Sequence, residues 1–102
     1  MKIVSIDPGT RNLGYAVWDN DKLTDFGSLD LFKYVKKKKQ TDYPFMVNVM
    51  VAAEARIFNN VDVLLIENQM QARMKMVACA LRCFFWKAAV PISPKSVRSY
   101  LK

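Results

Sequence analysis

Hydrophobic and polar positions alternate through residues 2–7, "KIVSID", and again through residues 13–19, "LGYAVWD". Period-two alternation rich in branched and aromatic side chains predicts two strands. Asn20 and Asp21 form a turn pair. In residues 22–31, "KLTDFGSLDL", Leu23, Asp25 and Gly27 alternate with Thr24, Phe26 and Ser28, which predicts a third strand at a sheet edge, exposed on one face. The three together read as an antiparallel meander. Residues 33–42 form a polar, lysine-rich loop. Pro44 suits the first turn of a helix, and Met46, Met50, Ala53 and Ile57 fall at helical spacing as far as Phe58, before Asn59 and Asn60. Residues 61–67, "VDVLLIE", are nearly continuously apolar, as a strand covered on both faces would be. Residues 68–90 predict a long helix with one stripe of Met70, Met74, Val77, Leu81, Phe84 and Ala88, and a second of Met76, Ala80 and Cys83. Gln71, Lys75 and Arg82 mark its narrow wet face. A short fifth strand at residues 90–93 and a last helix from Pro94 complete the pattern. The fold class is α/β: a mixed sheet of the meander plus a parallel fourth strand and a short fifth, with helices 44–58 and 68–90.

A helix apolar over so much of its surface is buried on more than one side. One side packs on the sheet. The other calls for a second subunit, or for another part of this chain.

Composition narrows the chemistry. The 102 residues make one domain, and 52% hydrophobic with 25% charged residues is an ordinary globular balance. No apolar run spans a bilayer and no signal peptide opens the chain, so an intracellular setting is expected. Cys79 and Cys83, four apart among apolar residues, read as free buried thiols. Histidine is absent, which excludes Ser-His-Asp and Cys-His mechanisms. Carboxylates, lysines, hydroxyls or a bound metal remain. The net charge of +7 suits a polyanionic partner such as nucleic acid. The run Lys36, Lys37, Lys38 and Lys39 is read as a solvated loop or as a phosphate contact.

Two strands end in acids. A helical crossover makes the fourth strand parallel to the first, so Asp7 and Glu67 share one sheet edge about 5 Å apart at backbone level. Such carboxylates repel unless one is protonated or a cation lies between them. Hard oxygen ligands select Mg2+ or Mn2+. The turn "PGTRNLG" belongs to the same edge: Gly9 and Gly14 allow close approach of a phosphate, and Thr10, Arg11 and Asn12 can donate to it. Bland alternatives stay open: Asp7 as a turn cap, Glu67 as a helix N-terminal acid, the glycines as hairpin residues.

"SIDPGTRNLGYAV", then "VLLIENQ" leading into "MQARMKMVACALRCFFW", then "ISPKSVRSYL", resembles the RuvC-type Holliday junction resolvases of the RNase H-like superfamily. The resemblance is closer to the branch from large DNA viruses and fungal mitochondria than to the bacterial enzymes, and it covers nearly the whole chain. It implies an RNase H-like fold and a homodimer joined through the helix after the Glu67 strand, with Met70, Met76, Ala80, Cys83 and Phe84 at the interface. It implies symmetric cutting of four-way DNA junctions with two metal ions, at a viral replication site or in a mitochondrion. By motif, Asp7 and Glu67 are catalytic metal ligands, and Arg98, supported by Lys95, is a basic position near the scissile phosphate. Arg73 joins Thr10, Arg11, Asn12 and the lysine run as candidate nucleic-acid contacts.

The sequence departs from that family in one respect. The family completes its site with carboxylates on a C-terminal helix, whereas no acidic residue follows Glu67 here. Asp19 and Asp62 fall at the wrong ends of their strands, Glu54 lies on a helix, and Asp30 is about 10 Å away by strand spacing. The expectation is therefore a nuclease domain over residues 1–102 that is C-terminally incomplete, with cutting by this chain a separate question. A non-cleaving junction-binding module of the same fold is the alternative. A phosphate-binding domain of the actin and sugar-kinase type is a third, although that type needs a second domain.

Overall fold

A computed structural model describes residues 1–92 of the chain. Strands β1 (Lys2–Asp7), β2 (Leu13–Asp19) and β3 (Lys22–Leu29) form the antiparallel meander. Asn20 and Asp21 close its second hairpin with φ of 49° and 69°. Two left-handed residues match the twist of the flanking strands, and Asn and Asp tolerate that region best among residues with a Cβ. Helices α1 (Tyr43–Ala53) and α2 (Ala55–Phe58) lead to β4 (Val63–Glu67), which lies parallel to β1. Helix α3 (Ala72–Phe84) then carries the chain to β5 (Ala89–Ile92), parallel to β4. The sheet order is β3-β2-β1-β4-β5. The mixed sheet with helices is the α/β arrangement expected.

Val4 and Ile6 on β1 and Leu64 and Ile66 on β4 point to one face of the sheet. There they meet Met46, Val47 and Met50 of α1, Ile57 of α2, and Val77 and Leu81 of α3 in a single core. Each fully buried aliphatic side chain contributes roughly 1.5–3 kcal/mol of transfer free energy. Ser5, Ala16 and Leu65 face the other way, on the side that carries Asp7.

The predicted helix 44–58 is two helices. A continuous helix would put Glu54 on the stripe of Val47, Met50 and Val51, inside the core. The chain breaks at Glu54 instead (φ −106°, ψ 51°), leaving its carboxylate beside Arg56. Ile57 and Phe58 turn inward after the break. Ala53, expected on the apolar stripe, is exposed, and Val47 and Val51 are buried instead. Asp42, unremarked in the sequence, caps α1 by accepting from the Phe45 amide at 3.2 Å.

The long helix is shorter than predicted at both ends. Residues 68–71 stay outside the helix: the Asn68 amide bonds the Ile92 carbonyl at 2.9 Å, prolonging the β4–β5 ladder, and the chain bends at Met70 and Gln71. At the far end the chain must return to pair with β4. Phe85 ends α3, its ring 5.8 Å from that of Phe58, and β5 begins four residues later. Pro91 is tolerated in this strand, as it is at sheet edges.

The lysine-rich loop is only partly a loop. A short 3-10 helix, Leu31–Tyr34, runs into it from the end of the expected third strand, with Leu31 fully buried and Phe32, Tyr34 and Val35 packed on the core. Lys37–Lys39 form another such turn, and all four lysines of the run are exposed. Cys79 and Cys83 are free thiols, as expected, but they are exposed, because α3 turns Val77 and Leu81 rather than the cysteines inward. Among the described residues no helix is long and apolar enough to cross a membrane.

Candidate active site

The register of β1 and β4 builds this site. At the far edge the Lys2 amide donates to Asp62 Oδ2 at 2.7 Å, and the Asp62 amide donates to the Lys2 carbonyl at 2.9 Å. Lys2 Nζ also bonds the Arg56 and Asn59 carbonyls, closing the C-terminus of α2. These bonds set where β4 starts against β1. Ile3 then pairs with Val63 and Ile6 with Ile66. Asp7 and Glu67 are the next residue of each strand, on the face of Ser5 and Leu65. Adjacent strands lie about 4.8 Å apart, so the two carboxylates leave the sheet as neighbours.

Asp7 is exposed and Glu67 half-buried. Gln69, two residues beyond Glu67, donates from Nε2 to Asp7 Oδ1 at 2.9 Å. The loop after β4 thus grips the end of β1. Nothing in the pattern of the sequence singled out Gln69, since a loop amide carries no periodic signal.

The turn after β1 is tightly made. A Cβ on Gly9 would lie 2.5 Å from the Asn12 carbonyl oxygen. Gly9 therefore serves the turn's own closure. Gly14 differs, because its nearest neighbour is Asp7 Cβ at 3.5 Å. Its missing side chain leaves room beside the carboxylate. A cavity of about 370 Å³ opens there, lined by Ser5, Asp7, Gly14, Ala16, Trp18 and Phe26. Trp18 Nε1 is buried without a hydrogen-bond partner among the described residues.

The remaining candidates separate. The Thr10 carbonyl accepts from the Leu31 amide at 2.8 Å, and the Arg11 guanidinium sits 4.5 Å above the Phe32 ring. Both contacts hold the turn beside Asp7, with Arg11 and Asn12 exposed. Asp30 accepts from the Phe32 amide at 2.9 Å and so caps a turn, in line with its poor prospects as a ligand. Asp19 and Asp62 lie at the opposite edge, and Glu54 faces Arg56. Among the described residues no three His, Cys, Asp or Glu side chains gather around a common point. Arg73 is exposed in the first turn of α3. Lys95 and Arg98 lie outside the described residues.

Of the expected interface residues, Met76, Ala80, Cys83 and Phe84 line one groove on α3. Met70 precedes the helix and is 90% exposed. It falls off the helical stripe because the helix starts at Ala72.

Neither a family model nor a curated protein matches the sequence. Solved structures do match, and the fold is one this chain shares with Holliday junction resolvases. The yeast mitochondrial Holliday junction resolvase Ydc2 superposes with a TM-score of 0.71 at 17% identity, over 96% of this chain and 55% of that one. RuvC of Thermus thermophilus in complex with a Holliday junction substrate superposes at 0.61 with 16% identity, over 97% and 68%. A further Thermus thermophilus RuvC structure gives 0.57 at 14% identity with the same coverage. The chain spans about half the length of the yeast resolvase.

Proposed function

We propose that this chain folds the strand-end core of a structure-selective DNA endonuclease, which resolves four-way junctions by metal-dependent phosphodiester hydrolysis. The observation that carries the reading is the β1–β4 register, which makes Asp7 and Glu67 neighbours on one face of a resolvase-type sheet. In this reading both residues hold Mg2+, or Mn2+ with the same hard-oxygen preference. Two carboxylates completed by water and substrate phosphate suit magnesium. The ion, when bound, supplies Lewis-acid polarisation of the phosphodiester and an acidified water. With no third carboxylate gathered beside these two among the described residues, the reading commits to one ion.

The chain's own groups do the rest. Gln69 holds Asp7 through one oxygen and so limits the carboxylate's rotation. Thr10, Arg11 and Asn12 offer donors to phosphate on the same edge. The exposed run Lys36, Lys37, Lys38 and Lys39, with Arg73, adds attraction to the backbone. Lys95 and Arg98 belong to the same proposal as contacts near the scissile phosphate. A second copy of this chain would cover the apolar groove of α3 and present a second site for the opposite strand. The setting that goes with this chemistry is an intracellular compartment of DNA recombination.

The test measures binding and cleavage separately, on a synthetic four-way junction and on linear duplex of the same sequence. Cutting of the junction in Mg2+ but not in chelator is expected. Asp7→Asn or Glu67→Gln should abolish cutting and leave junction binding in place. Undiminished cutting by both variants would overturn the ligand assignment. A second reading, a junction-binding module that does not cut, is favoured by the lack of a third carboxylate beside Asp7 and Glu67 among the described residues. Tight, magnesium-independent junction binding without product in the wild-type protein would select it.

A further inference from the structure

A second cleft adjoins the carboxylate edge, between the loop after β4 and the wet side of α3. It encloses about 370 Å³ and is lined by Asn68, Gln69, Lys75, Ala78, Cys79 and Arg82, over Ile66. That volume lies in the range of ligand sites, roughly 300–1,000 Å³. Lys75 and Arg82 are seven residues apart, two turns, so they stand on one face of the helix. Ala78 and Cys79 lie between them and are short enough to leave the surface concave.

The electrostatics of the cleft run one way. Neither Lys75 nor Arg82 has an acidic partner within salt-bridge distance among the described residues, where the ion pairs all involve Arg56. The sequence offers no acid anywhere after Glu67. Two exposed cations over a concave floor, with the Asn68 and Gln69 amides at one end, suit a ligand of repeating negative charge. The two cations are about 10 Å apart along the helix axis at 1.5 Å per residue.

Gln69 fixes the direction. The same side chain that lines this cleft donates to Asp7. One end of the cleft therefore lies a single side chain, Gln69, away from Asp7, on the helix-covered face of the sheet, and from there the cleft runs along α3. We infer that Lys75 and Arg82 form a phosphate-binding track that takes up the DNA strand leaving the Asp7–Glu67 edge, with Gln69 as the link between the two. The inference rests on the nucleic-acid reading above and adds to it a path for the strand. Lys75 and Arg82 bind and position; they take no part in the chemistry.

The test is the salt dependence of binding, read by fluorescence anisotropy on a four-way junction and on linear duplex. Lys75→Gln/Arg82→Gln is compared with wild type and with Lys22→Gln/Lys87→Gln, which removes two exposed lysines at the opposite sheet edge. Both cleft side chains are exposed, so the double variant keeps its core. Losing two phosphate contacts should make the slope of log K against log salt shallower by about 1.8, at roughly 0.9 per contact. Affinity at low salt should fall at least tenfold, and the control pair should keep the wild-type slope. An unchanged slope in the cleft variant, or an equal loss in the control, overturns the track. Junction preference with an unchanged slope retains the proposed function and removes the track. Equal affinity for duplex and junction with the slope loss retains the track and removes junction selectivity. No DNA binding by wild type removes both.

Discussion

Gln69 reaches back across the β1–β4 edge and donates to Asp7 at 2.9 Å. A carboxylate at the end of a strand is otherwise free to rotate about two side-chain bonds, and this amide selects one orientation. Groups that orient a metal-binding carboxylate commonly affect ion affinity by 10–100-fold when removed.

Gln69→Ala should accordingly weaken Mn2+ binding by about tenfold, as measured by calorimetry or paramagnetic titration. Gln69→Glu adds a charge beside Asp7 and should change affinity in either direction without restoring the wild-type value. Unaltered Mn2+ affinity in Gln69→Ala would show that the hydrogen bond plays no part in ion binding.

The two glycines at the edge should respond differently to alanine. At Gly9 a Cβ meets the Asn12 carbonyl at 2.5 Å, so backbone must move. Gly9→Ala should cost about 1–3 kcal/mol in urea denaturation, the usual range for an overpacked site. At Gly14 the nearest atom is 3.5 Å away, in ordinary contact. Gly14→Ala should leave stability within about 0.5 kcal/mol, as an uncrowded substitution does. Its effect should fall on the space beside Asp7.

Leu81 and Phe84, three residues apart on α3, separate the core from the proposed interface. Leu81 is fully buried and Phe84 is 50% exposed. Leu81→Ala should cost about 2–5 kcal/mol, the range for a large-to-small change in a packed core. Phe84→Ala should leave the folded chain nearly as stable, while sedimentation at varied concentration should show weaker self-association. An unchanged association constant would remove the α3 groove as the contact between copies.

Burial is the main cause of a raised Tyr34 pKa, above the ordinary 10.0. Glu54, Tyr15 and Asp30 push the same way, and Arg56 opposes them. The folded state thus holds the phenol proton more tightly than the unfolded chain does. The resulting stability is fully present below pH 10 and is lost as pH rises through the folded-state value. Tyr34→Phe should flatten the alkaline limb of a melting-temperature profile relative to wild type. Parallel profiles would show that Tyr34 titrates as it does in the unfolded chain.

The strands were legible because their signals are local. Alternation, branched residues and the Asn20–Asp21 pair depend only on neighbours in the chain, and the meander followed from them. The parallel placement of the fourth strand also followed, because a helical crossover has few ways to return to the same sheet. The helix boundaries were not legible. Glu54 looks helical until the core claims the face on which it would stand. Residues 68–71 and 85–88 carry helix-compatible side chains, but the Asn68 hydrogen bond to the Ile92 carbonyl and the packing of Phe85 on Phe58 take them out of the helix.

The sequence by itself determined which residues could do chemistry: with no histidine and two acids ending apolar strands, Asp7 and Glu67 stood out. It also determined that the chain carries an excess of positive charge with no acid after Glu67. Only the tertiary structure decided what surrounds those acids. Gln69 is tied to Asp7, and the register that makes Asp7 and Glu67 neighbours is set by Lys2 and Asp62, through contacts between segments distant in the chain. Such contacts depend on register and packing geometry, and spacing along one strand or one helix carries no record of them.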